Sequence, residues 1–142
     1  MKSTGVMKSD KGRILFIEDE RNMVDMYHLF FEKNGYDFLS TKDIKEALMI
    51  TEFERPDAVL LDIIIPTEEN TIAEQGYDYL EAVKKNPNAK NAPIIVFTNL
   101  DTDQDRDKCR RMGAESYIFK GQASPRQVLN TIQDVIAKYQ KK

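Results

Sequence analysis

Four stretches of the sequence close an apolar run with a residue able to do polar chemistry. "RILFI" (13–17) leads into Glu18-Asp19-Glu20, "AVLLD" (58–62) ends on Asp62, "PIIVFT" (93–98) ends on Thr98 before Asn99, and "SYIF" (116–119) leads into Lys120. Carboxylates brought together on neighbouring strands, roughly 5 Å apart, repel each other and ionise together only if a cation compensates. An oxygen-only donor set with places left for water suits Mg²⁺ better than zinc. A carboxylate beside such an ion can attack phosphorus and give an acyl phosphate. The Thr98 hydroxyl and the Lys120 ammonium can then bond or neutralise the phosphoryl oxygens.

Each residue alone has a plainer use. Acids after strands commonly cap the next helix, a strand-end threonine is ordinary, and a lysine is usually a solvated charge. Order and spacing together make the phosphoryl reading the stronger one.

Five compact apolar runs alternate with helical patterns. The strands are expected at 13–17, 36–40, 58–62, 93–98 and 116–119, with 36–40 nearer an edge because it alternates. Helices are expected along "NMVDMYHLFFEKNG" with Gly35 as C-terminal cap, along "DIKEALMITEF", from about Gly76 to Asn86, over 103–112, and from Pro125 onward. Ser124, Pro125 and Gln127 spell a capping box at the start of the last helix. Five βα units in a row predict a parallel sheet with helices on both faces, whose strand carboxyl ends share one ligand-binding rim. The segment 103–112 offers only Cys109 and Met112 as an apolar stripe, so its helix is expected to be weakly held.

The 142 residues make one domain, with residues 1–12 read as a flexible tail and 13–140 as the folded unit. A net charge of −3 provides no basic field for nucleic acid, and no stretch reads as a membrane span or secretory leader. The single cysteine cannot form an internal disulfide, so a cytoplasmic setting is the default. The one histidine, His28, has no partner at metal-ligand spacing.

The pieces "ILFIEDE", "VLLDIIIP", "VFTN" and "GAESYIFK" resemble the receiver domain of two-component response regulators over about residues 13 to 140. The resemblance implies a flavodoxin-like (βα)₅ fold with strand order 2-1-3-4-5. It implies Asp62 as phosphoacceptor, and Glu18, Asp19, Asp62 and the main-chain carbonyl of Ile64 as Mg²⁺ ligands. Thr98 and Lys120 match the phosphate-contacting pair, and Tyr117 the aromatic that turns inward on activation. A sensor histidine kinase or histidine phosphotransfer protein would donate the phosphoryl group, and the domain would catalyse only its own phosphotransfer and dephosphorylation. No further domain follows the last helix in this sequence. A stand-alone regulator is therefore expected, acting on an output protein through helix 4, strand 5 and helix 5, without direct contact to nucleic acid. A receiver-fold scaffold that works without phosphorylation is the competing reading.

Four departures from the family pattern bear on that choice. Glu18 stands where aspartate is commoner, Asn99 follows Thr98 where a small residue is usual, and Gly121 follows Lys120 where proline is usual. Between Pro66 and Gly76 the stretch "TEENTIAEQ" is longer than the family turn, an insertion beside the site. A tolerated surface loop is its plain reading; shaping partner access or shielding an acyl phosphate is the functional one.

Overall fold

The computed structural model describes residues 11–89 and 92–140. The expected tail at 1–12 lies almost wholly outside the described residues. Five strands, β1 (Arg13–Ile17), β2 (Asp37–Thr41), β3 (Ala58–Leu61), β4 (Ile94–Thr98) and β5 (Ser116–Phe119), form one sheet in the order β2-β1-β3-β4-β5. Every pairing is parallel, with Phe16 opposite Ser40 and Leu60, and Val96 opposite Leu61 and Tyr117. This is the flavodoxin-like (βα)₅ arrangement with strand order 2-1-3-4-5.

Among the described residues, five α-helices, α1 (Arg21–Lys33), α2 (Ile44–Phe53), α3 (Gln75–Lys85), α4 (Asp103–Arg111) and α5 (Pro125–Gln140), connect or follow the strands. Strand side chains alternate between faces, so the sheet carries two cores. Leu15, Ile17, Val59, Leu61 and Val96 meet Ala47 of α2, Leu80 and Val83 of α3 and Cys109 of α4. Ile14, Phe16, Ala58, Leu60, Ile95 and Phe97 meet Val24, Tyr27 and Phe31 of α1 and Val128, Leu129 and Ile132 of α5. Burial on both faces explains why the central strands read as unbroken apolar runs.

Three strands differ from the sequence reading by one residue: β2 is shifted one residue on, β3 stops before Asp62, and β4 starts after Pro93. Tyr36 is buried against Phe31 rather than paired in β2. Pro93 has no N–H to donate, although its carbonyl still accepts from Val59 at 2.9 Å. The local punctuation matches expectation. Gly35 ends α1 at φ +92°, where a Cβ would be strained. At α5, Ser124 N–H donates to Gln127 Oε1 (2.8 Å) and Gln127 N–H to Ser124 Oγ (3.2 Å), the reciprocal box. No helix among the described residues is long and apolar enough to cross a membrane.

Candidate functional site

The carboxyl ends of β1, β3, β4 and β5 converge on a pocket of about 280 Å³ lined by Glu18, Asp19, Glu20, Asp62, Ile64, Pro66, Asn99 and Lys120. Asp62 is held there by the ladder that made its strand, because its N–H donates to the Ile17 carbonyl at 3.0 Å. Its Oδ1 accepts from Ile64 N–H (3.2 Å) and its Oδ2 from Lys120 Nζ (2.8 Å). Lys120 Nζ lies 2.6 Å from Glu18 Oε1 as well, so one ammonium bridges the two buried carboxylates. Glu18 Oε2 accepts the N–H groups of Asp19 and Glu20, both at 3.1 Å.

The acidic triplet therefore divides its work. Glu20 caps α1 through Met23 N–H (3.3 Å), the plain use of a post-strand acid. Glu18 and Asp19 stay with Asp62, the three carboxylates offering oxygen atoms within 4.8 Å of one another. Burial and the nearby Asp62 charge push the Glu18 carboxyl up to about 7 against the pull of Lys120. Burial opposes the Lys120 charge, yet Asp62 and Glu18 outweigh it and hold the ammonium above its ordinary value. One ammonium among three carboxylates leaves excess negative charge in a partly enclosed place. A hard divalent cation with oxygen ligands fits that donor set.

Not every expected residue stands at the pocket wall. Thr98 is fully buried and its Oγ1 accepts from Leu100 N–H at 3.5 Å, while its neighbour Asn99 lines the pocket. Tyr117 is half-buried, with its hydroxyl donating to the Leu100 carbonyl and the Arg106 guanidinium 4.9 Å from its ring. Both thus meet on the segment between β4 and α4 rather than at Asp62.

Gly121, standing where proline is usual, makes no left-handed turn. Its φ is not positive and the chain has no cis peptide among the described residues. What the glycine provides is room, because a Cβ there would sit 2.9 Å from the Phe119 ring. Lys120 still reaches both acids.

The insertion is a built loop. Thr67 N–H donates to Asn70 O (3.0 Å), Asn70 N–H to Thr67 Oγ1 (3.0 Å), and Ile72 N–H to Asn70 Oδ1 (3.0 Å). It ends where α3 begins, and Gly76 brings that helix onto the acceptor strand: a Cβ would lie 2.4 Å from Asp62 O and 2.5 Å from Ile63 Cα. In the sequence Gly76 marks a helix start and the end of the insertion. Its contact with Asp62 carries no local signal, since the partner is fourteen residues earlier in the chain.

The sequence model described as the response regulator receiver domain matches residues 14–133. Among curated proteins, the chain is 32% identical over 117 residues to the alkaline phosphatase synthesis transcriptional regulatory protein PhoP of Bacillus subtilis (strain 168), covering 82% of this chain and 45% of that protein. The chain spans about half the length of the curated relatives it matches. Among solved structures, a CheY-like response regulator receiver domain protein from Methanospirillum hungatei JF-1 superposes with a TM-score of 0.76 at 27% identity, over 91% of this chain and 96% of that one. The receiver domain of sensor histidine kinase PA1611 from Pseudomonas aeruginosa PAO1, with magnesium coordinated in its active-site cleft, shares the fold (TM-score 0.73, 24% identity, 89% and 98% covered).

Proposed function

The chain belongs to the response regulator receiver domain family of two-component systems, and from that premise we propose that Asp62 accepts a phosphoryl group and that this controls a protein-binding surface. The observation that carries the reading is Lys120 Nζ bridging Glu18 and Asp62 at the rim of the pocket. That geometry fixes both Asp62 oxygens, Oδ2 on the lysine and Oδ1 on Ile64 N–H, at the pocket where phosphorus would be attacked.

In this reading a sensor histidine kinase or histidine phosphotransfer protein presents a phosphohistidine. An Asp62 oxygen bonds to phosphorus, the phosphorus–nitrogen bond breaks, and its electron pair returns to the imidazole, which takes up a proton. Lys120 then turns from carboxylate to phosphoryl oxygen, and Thr98 supplies a hydroxyl from the next strand. Glu18, Asp19, Asp62 and the Ile64 carbonyl would hold Mg²⁺, which when bound neutralises charge on the phosphoryl oxygens. Movement of Thr98 would reach Tyr117 through the Leu100 segment that both already touch. The responding face is α4, β5 and α5, offered to an output protein in the cytoplasm. The proposal holds equally for a stand-alone regulator and for a receiver joined to further domains.

Intact mass after exposure to a small phosphodonor tests this. Wild type should gain one phosphoryl mass with Mg²⁺ and none with chelator, while Asp62→Asn gains none. Gain by both proteins would place the acceptor elsewhere. No gain from either a small donor or a phosphorylated histidine donor would leave the scaffold reading.

A further inference from the structure

In the turn after β3 the carbonyls of Ile63, Ile65 and Pro66 each take a hydrogen bond. Gly76 N–H donates to the Ile63 carbonyl at 2.9 Å. The Gln75 side chain donates from Nε2 to the carbonyls of Ile65 (2.8 Å) and Pro66 (3.2 Å). Ile65 N–H donates to Ala73 O at 3.0 Å, and Ile65 pairs with Glu74 in an isolated parallel bridge. Among the described residues, no hydrogen bond is made to the Ile64 carbonyl. Ile64 lines the pocket beside Asp62 and Asp19, and its own N–H is fixed on Asp62 Oδ1.

We propose that Gln75, the last residue of the insertion, is a positioning residue for the cation site: its amide clamps the carbonyls that follow Ile64 and so presents the Ile64 carbonyl to the pocket. The inference rests on the metal site assigned above. A primary amide carries two donor hydrogens, which matches two carbonyls, and a one-residue slip of the turn would spend one of them on Ile64 instead. The insertion thereby acquires a role at the site through its C-terminal end, without contact to the ion. Groups that orient a metal's ligands commonly change affinity by ten- to a hundredfold when removed.

Calorimetric titration of the full chain with Mg²⁺ tests this, in variants shown to be folded by circular dichroism. Gln75→Met keeps the length and removes the donors; Gln75→Ala removes both. Each should weaken Mg²⁺ binding about tenfold. Asn70→Ala loosens the same loop at Ile72 and should bind Mg²⁺ as wild type does. Wild-type affinity in both Gln75 variants, or equal weakening in Asn70→Ala, overturns the proposal while the metal site stands. Undiminished binding in Asp19→Asn would overturn the metal site itself, and the role of Gln75 with it.

Discussion

Helices α3 and α4 flank the same sheet and are held to it by different means. α3 buries Tyr77, Tyr79, Leu80 and Val83, and its Gly76 touches the main chain at Asp62. The Tyr79 hydroxyl is locked to Thr51 Oγ1 of α2 at 2.6 Å in the interior. α4 buries only Cys109. Its other ties are polar or ring contacts: Tyr77 OH to Asp105 Oδ1 (2.9 Å), Lys108 Nζ 3.9 Å from the Tyr77 ring, and Arg106 over Tyr117. Apolar packing is lost only when area returns to water, whereas cation–ring and exposed polar contacts exchange for water at low cost. The helix seated on the Asp62 strand is packed, and α4 is pinned.

The most severe way to break that contrast is Gly76→Ala. An added methyl group meets main-chain atoms of Asp62 and Ile63 that cannot turn aside. The expected loss is about 4 kcal/mol in urea unfolding, at the upper end for overpacking. A loss below about 1 kcal/mol would show that α3 is not seated on the Asp62 strand as described. A milder pair compares the two helices directly. Leu80→Ala in α3 should cost about 3 kcal/mol, since its side chain is fully buried. Cys109→Ala in α4 should cost about 1 kcal/mol, the transfer value of a small buried group. Equal losses would erase the distinction between the helices.

That contrast also separates what was legible in the sequence from what was not. The weakness of α4 could be read, because "DTDQDRDKCRRMG" places only two apolar residues on a helical face. The convergence of Glu18, Asp62 and Lys120 followed from five βα periods and the rule that strand carboxyl ends share a rim, whereas the strand order came from the family resemblance. Asn99 was visible as a departure, but its place in the pocket wall, with Thr98 behind, depends on the side to which each side chain turns. Gln75 and Gly76 were hidden for another reason. Their partners lie ten and fourteen residues away across an irregular loop, where no periodicity relates position to contact. The tyrosine contacts that pin α4 are likewise long-range, with Tyr77 and Asp105 separated by twenty-eight positions.

The smallest expected effect concerns the second tyrosine. Burial, with the neighbouring Cys109 and Asp105, pushes the Tyr117 phenol up to about 12 from its ordinary 10. The folded chain therefore holds this proton more tightly than the unfolded one. The associated stability is fully present below about pH 10 and is lost as pH rises through about 12. Ionisation also removes the donor that binds the Leu100 carbonyl, so the bond joining β5 to the loop before α4 breaks in the same range. Ultraviolet difference titration of wild type against Tyr117→Phe should assign a late-titrating phenol to this residue. Wild type carrying a phosphoryl mimic should keep that late titration if Tyr117 stays on Leu100. A wild-type phenol that titrates near 10, with the rest of the chain still folded, would mean that α4 is free of this pin and relies on Tyr77 and Cys109 alone.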